Sequence, residues 1–203
     1  MDDGSTDDTQ QLLSPFRDKI ISSKQENAGI ARARNAGYAL CSGSFIAFLD
    51  SDDLYTPGRL SIQMAAFQAD PALECVQGYM EPFVSPELPL EFARRIRGEM
   101  GRAIAAPMAS TTLIKRSAYE RVGYWDETLN VGVDMEWYAR MKAAQLNYRM
   151  LHDVLLRRRI HRNNTNLRLA NQQSERLHVL KNILDRRRAL QASADNQQRE
   201  ISQ

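Results

Sequence analysis

Apolar and polar positions along the chain alternate between two periods. Ser5-Thr-Asp-Asp8 has the form of a capping box with Asp in place of Glu, which predicts a helix from near Thr6 to the Pro15 region. Ile20-Ile-Ser-Ser23 then reads as a short strand. From Gly29 the residues Ile30, Ala33, Gly37, Leu40 and Cys41 recur at helical spacing, leaving Arg32 and Arg34 off the apolar stripe, and Gly43 stops the helix. Phe45-Ile-Ala-Phe-Leu49 is apolar without alternation, as in a strand buried on both faces of a parallel sheet. Pro57 falls at a first helical position, with Leu60, Met64 and Phe67 forming a face that Asp70-Pro71 ends.

Residues 74–79 read as the next strand, and the Pro-rich stretch 81–95 as a loop with one short helix. A strand at 110–116, a helix from near Ser117, a helix over 134–146 carrying Trp137, Met141 and Ala144, and an extended segment over 148–161 follow. From Leu167 the chain is rich in Gln and Arg, with no Gly or Pro, and reads as a helical tail that frays toward its end. Strands alternating with helices imply an open α/β sheet in one domain, residues 1–165, followed by the tail, residues 166–203.

Composition changes this picture little. At 203 residues, 43% hydrophobic and 26% charged, the chain is long enough for a substantial core. The net charge of +2 argues against nucleic acid as a partner. Arg157, Arg158, Arg159, Arg162 and Arg186 to Arg188 read as solvated, since no aromatic residues interleave with them. Cys41 and Cys75 lack the spacing of a metal site and are expected to be reduced core thiols of a cytosolic protein. The longest apolar run falls far short of the roughly 20 residues that a membrane-spanning helix needs, so membrane association is expected to be peripheral or through a partner.

Candidate chemistry sits at the strand ends. In open α/β sheets ligands lie beyond the carboxyl ends of the strands, and acidic clusters fall at such places: Asp2-Asp3-Gly-Ser, Asp50-Ser-Asp52-Asp53 and the start of Asp134-Met-Glu-Trp. Asp50 and Asp52 flank one residue after an apolar run, which suits Mg²⁺ or Mn²⁺ with substrate phosphates and water completing the shell. Taken singly, each cluster also reads as a helix cap.

Taken in order, the segments resemble the family-2 glycosyltransferases of the GT-A fold. The matching segments are Asp2-Asp-Gly-Ser-Thr-Asp-Asp-Thr9, Asn27-Ala-Gly29, Ala33-Arg-Asn-Ala-Gly37, Phe48-Leu-Asp-Ser-Asp-Asp53, Arg121 to Leu129, Asp134-Met-Glu-Trp-Tyr-Ala-Arg140 and Arg159-Ile-His161. The resemblance spans residues 2 to 165 and implies an inverting, metal-assisted transfer of a sugar from a nucleotide-diphosphate sugar to an acceptor hydroxyl of a saccharide or lipid-linked acceptor, as in polysaccharide or glycoconjugate synthesis. It implies that Asp2 and Asp3 contact the nucleotide base, that Asp50 faces the nucleotide with Arg34 assisting, that Asp52 and His161 meet the divalent cation or pyrophosphate, and that Asp134 is the base. Val133 stands where the family carries an acidic neighbour of that base. The family also carries a strand, a helix and a further apolar strand ahead of Asp2. Their absence from this sequence makes a non-catalytic remnant or scaffold of the same fold the alternative expectation.

Overall fold

The computed structural model describes residues 1–88, 101–162, 164, 177, 179–185 and 188. Helix α1 (Thr9–Leu13) runs into a 3₁₀ turn (Ser14–Phe16), and α2 (Ile30–Ala39) leads to β1 (Phe45–Ala47) and β2 (Leu54–Tyr55). Then come α3 (Arg59–Ala69), β3 (Cys75–Val84), β4 (Ile104–Ala105), a 3₁₀ turn (Ala109–Thr111) and β5 (Leu113–Lys115). Helices α4 (Arg116–Val122) and α5 (Val133–Ala143) precede the long β6 (Tyr148–Ile160).

The described strands form one sheet in the order β1-β5-β3-β6-β2, with β4 beside β3. Only β3 and β6 pair in parallel; the other pairs are antiparallel. Register follows side-chain alternation. Ile46, Ile114 and Cys75 lie side by side on one face, packed with Tyr119, Trp137 and Met141. Val76 and Leu113 lie on the other, with Phe67 and Leu73 from the α3 side. Helices thus cover both faces, as a mixed α/β sheet requires.

Several sequence expectations are corrected. Residues 20–23 form no strand: Ile20 and Ile21 are exposed, and only Lys24 makes a parallel bridge, to Asp2. The apolar run at 45–49 does not lie in a parallel sheet buried on both faces. It ends as β1, antiparallel to β5, with Ala47 exposed and Leu49 47% exposed.

Helix α2 buries Ala31, Arg34 and Tyr38, while Ile30, Leu40 and Cys41 are exposed. The apolar stripe therefore marked the outer face, and Cys41 is not a core thiol. Cys75 is fully buried, which pushes its thiol up to about 12. Helix α3 starts at Arg59, two residues after Pro57, from Gly58 in the left-handed conformation, and it buries Arg59, Gln63, Ala66 and Phe67 while Leu60 is exposed. Arg157 and Arg159 stand on a strand rather than a solvated helix, both with their guanidinium groups 4.8 Å from the centre of the Phe83 ring.

The N-terminal helix is shorter than expected. Asp8 makes no side-chain cap, and Asp7 instead accepts the Thr9 N–H at 3.1 Å. The extended segment at 148–161 and the helix at 134 match expectation, and β3 carries the strand expected at 74–79 on into the Pro-rich stretch. The short helix expected there, and most of the tail, lie outside the described residues; those of the tail that are described, 177, 179–185 and 188, are helical.

Candidate functional site

Three segments far apart in sequence converge: the loop after β1, the first turn of α5, and the end of β6. A buried arginine joins the first two. Arg34 enters from the inner face of α2, with its Nη2 donating to Asp50 Oδ1 and its Nη1 to Asp134 Oδ1, both at 3.0 Å. Its side chain is 6% exposed and its guanidinium lies 4.6 Å from the centre of the Trp125 ring. Burial works against this charge, but Asp134 and Asp50 outweigh it and raise the Arg34 pKa.

Both residues are also tied to the Ala109–Thr111 turn, Asp134 through its carboxylate and Asp50 through its backbone. The Ala109 N–H donates to Asp134 Oδ1 at 3.4 Å, and the Asp50 N–H donates to Ser110 Oγ at 3.2 Å. Asp134 Oδ2 takes no hydrogen bond among the described residues, and the side chain is 40% exposed. One oxygen is therefore clamped and the other faces outward, at the N-terminal end of a helix whose dipole attracts negative charge.

The turn that holds both residues is itself held by Arg59, which is 1% exposed. Arg59 Nη1 donates to the Ser110 carbonyl, Nη2 to the Thr112 carbonyl and Nε to Gln63 Oε1. Gln63 Nε2 donates in turn to the Thr111 and Val76 carbonyls. Sequence reading missed this pair. The signal was present, since Arg59 and Gln63 stand at helical spacing on the face that Ala66 and Phe67 continue.

On the far side of the β1 loop, His161 Nε2 and Asp52 Oδ2 lie 2.8 Å apart. Asn164 approaches the same oxygen at 3.4 Å, and its Oδ1 accepts the His161 N–H at 2.6 Å. Arg159 Nε donates to the Asp52 carbonyl. Next to it Asp53 is buried, accepting the Arg159 N–H at 2.9 Å. Burial, opposed by that bond and reinforced by the neighbouring carboxylates Asp52 and Asp50, pushes its carboxyl up to about 6. Sequence reading assigned Asp53 no role of its own, took Arg159 as solvated and did not single out Asn164.

Among the described residues no group of three or more His, Cys, Asp or Glu side chains gathers into a metal cage. The Asp52–His161 pair nevertheless fits Mg²⁺ or Mn²⁺, because such ions use few protein ligands and take the rest from phosphates and water.

Asp2 and Asp3 make no hydrogen bond to Asp50, Asp52, Asp134 or His161 among the described residues and are already engaged. The Asp2 carboxylate accepts from the Ser5 N–H at 2.8 Å and from Gln10 Nε2 at 2.6 Å; the Ser5 bonds, with that from Gln10, lower its pKa to about 2. The Asp3 carboxylate accepts the N–H groups of Ala28 and Gly29, both at 2.9 Å, and Gln25 Nε2 at 2.7 Å, directly ahead of α2. Asp3 thus fixes the start of the helix that carries Arg34, and Asp2 ties the turn at Ser5 to α1.

Comparison with known proteins shows the family. The sequence profile described as glycosyl transferase family 2 matches residues 1–123. The chain belongs to that family. Chondroitin synthase of Escherichia coli is 41% identical over 80 residues, covering 37% of this chain and 11% of that protein. Staphylococcus aureus TarS, solved in complex with UDP-GlcNAc, superposes with a TM-score of 0.61 at 20% identity, covering 79% of this chain and 48% of the other. The mannosyltransferase PcManGT from Pyrobaculum calidifontis, solved with GDP-Man and Mn²⁺, superposes with a TM-score of 0.62 at 17% identity over 91% of this chain and 53% of that one.

These superpositions show the fold, which is of the GT-A type. The chain spans between 11% and 58% of the length of the curated relatives it matches.

Proposed function

We propose that this family-2 glycosyltransferase transfers a sugar from a nucleoside-diphosphate sugar to a hydroxyl of a saccharide or lipid-linked acceptor, with inversion. The observation that carries the reading is the meeting of Asp50 and Asp134 on one buried guanidinium, 84 positions apart in sequence, with Asp52 of the same β1 loop paired to His161 at the end of β6. Donor ligands printed for the superposed structures, UDP-GlcNAc and GDP-Man, support a nucleotide-sugar partner without choosing the base.

In this reading Asp134 takes the proton from the acceptor hydroxyl. Its clamped Oδ1 fixes the carboxylate plane and its open Oδ2 receives the proton as the acceptor oxygen attacks the anomeric carbon. Asp50 accepts hydrogen bonds from the ribose hydroxyls through its second oxygen. Asp52 and His161 would hold a divalent cation against the donor phosphates, where it supplies the neutralising charge for the departing diphosphate. Asp2 and Asp3 act on the base through the loop they organise rather than with free carboxylates.

No helix of the described residues is long and apolar enough to cross a membrane, and contact with a lipid-linked acceptor would be peripheral. The test is release of nucleoside diphosphate from UDP-GlcNAc and from GDP-mannose with Mn²⁺, in the presence of oligosaccharide acceptors. Loss of a positioned base costs about 10²- to 10⁴-fold, so Asp134→Asn should suppress turnover by that factor. Equal turnover in the variant would refute the base assignment.

A further inference from the structure

We propose that Arg34 is a positioning residue that couples the donor side of the site to the base, so that occupancy of Asp50 changes how firmly Asp134 is held. This rests on the assignment of Asp50 to the nucleotide and Asp134 to the base.

An arginine that holds a diphosphate presents its fork to solvent, where both terminal nitrogens can meet phosphate oxygens. Arg34 does the opposite. It is buried to 6% exposure beneath the two carboxylates, its two terminal nitrogens are divided between them, and its Nε is buried with no hydrogen-bond partner among the described residues. The indole of Trp125, 4.6 Å from the guanidinium carbon, lies against one side of the group. Trp125 is in turn stacked on Trp137 of α5 at 4.9 Å, three residues after Asp134. The guanidinium therefore has two carboxylates to share its charge and little room to leave either.

Sharing makes the two ends dependent. When ribose hydroxyls draw on Asp50, that carboxylate competes less for the guanidinium, and Arg34 turns its charge to Asp134. When Asp134 is neutral, the whole charge falls on Asp50 and competes with the ribose. Such coupling is reciprocal by thermodynamic necessity. The Ala109–Thr111 turn joins the same two residues by a second route, through the Ala109 N–H and Ser110 Oγ, so a shift at one carboxylate is not absorbed by slack in the loop.

A double-mutant cycle on the full 203-residue chain tests this. UDP and GDP, each with Mn²⁺, are titrated calorimetrically into wild type, Asp134→Asn, Arg34→Met and the double variant. Asp134→Asn is expected to weaken nucleotide binding by about three- to thirtyfold in wild type, within the range measured for directly coupled residues, and by less than about twofold when Arg34 is absent. The two tryptophans report the same event, since nucleotide should shift their fluorescence in wild type and not in Arg34→Met. An equal effect of Asp134→Asn in both backgrounds would overturn the coupling while leaving the donor reading intact.

Should wild type bind neither nucleotide, the donor reading fails, and the clamp is judged by unfolding in urea without ligand. Arg34→Met should lower the midpoint, and adding Asp50→Asn and Asp134→Asn should restore part of it, because the carboxylates no longer repel one another. A midpoint that falls further with each addition would overturn the clamp. If Arg34→Met does not fold, Arg34→Lys takes its place: a single ammonium keeps the charge but cannot span both partners, so the cycle should give the same loss of coupling.

Discussion

Replacing Arg59 by Met removes a buried cation that meets no carboxylate among the described residues. Arg59 donates to Gln63 Oε1 at 2.9 Å, to the Ser110 carbonyl at 2.6 Å and to the Thr112 carbonyl at 3.1 Å, and it stacks 3.7 Å from the centre of the Tyr55 ring. Hydrogen bonds to a charged group contribute about 1.5–3 kcal/mol each, so the gross loss is roughly 5–9 kcal/mol. Against this, Arg59→Met relieves the several kcal/mol that burying an unpaired charge costs, a strain visible in the downward shift of the Arg59 pKa caused by burial.

Met also fills most of the space against Tyr55, so no large cavity opens. The difference leaves a net destabilisation of about 2–4 kcal/mol. With a urea dependence near 3 kcal/mol per molar, the unfolding midpoint should fall by about 1 M. The assay is urea unfolding followed by far-UV circular dichroism and by tryptophan fluorescence, with Arg32→Ala as a control. Arg32 forms an exposed ion pair with Glu127 and should shift stability by less than about 1 kcal/mol. Because Arg59 holds the turn beneath Asp50 and Asp134, the folded variant should also bind nucleotide more weakly. A midpoint within about 0.2 M of wild type would refute the claim that this arginine holds the turn.

Other outcomes follow from the same structure. A Cβ on Gly78 would lie 2.4 Å from Leu155 Cδ1 and 3.0 Å from the Asp153 carbonyl, and Leu155 is fully buried, so Gly78→Ala should cost about 1–3 kcal/mol in urea unfolding. One thiol, exposed Cys41, should react with a chromogenic disulfide in the native protein, and buried Cys75 only on unfolding.

Asp53 has its carboxyl raised from 3.8 to about 6 by burial, so the folded chain holds that proton more tightly than the unfolded chain. Its contribution to stability is complete below pH 4 and is lost as pH rises through about 6, by up to roughly 3 kcal/mol. Asp53→Asn should therefore gain stability relative to wild type at pH 7.5 compared with pH 4, and an identical pH dependence in the two proteins would contradict the burial argument.

The strand and helix order was legible because it rests on local period and turn chemistry. The acidic residues at strand ends were legible because ligands of open sheets gather there: Asp50, Asp52, Asp134 and His161 do converge. Burial was less legible wherever a polar residue faces inward. Arg34, Arg59 and Gln63 lie on the inner faces of α2 and α3, where an apolar stripe does not include them; reading the stripe alone turned α2 the wrong way, whereas on α3 it found Phe67 and Met64 and missed only that Leu60 is exposed.

Ile20 and Ile21 have strand propensity, but no ladder partner sits beside them among the described residues, so propensity had nothing to pair with. Asp2 and Asp3 were legible as important and illegible in detail. Their carboxylates are taken up by backbone N–H groups and glutamine amides, which only three-dimensional placement reveals.

In the proposed function, nucleotide, cation and base meet around the β1 loop. Calorimetric titration of UDP and GDP into wild type, Asp52→Asn and Asp134→Asn, with and without Mn²⁺, tests it most directly. Wild type should bind one of the nucleotides far more tightly with Mn²⁺, Asp52→Asn should lose that enhancement, and Asp134→Asn should keep it at reduced affinity. Equal binding with and without Mn²⁺ in all three proteins would contradict the account.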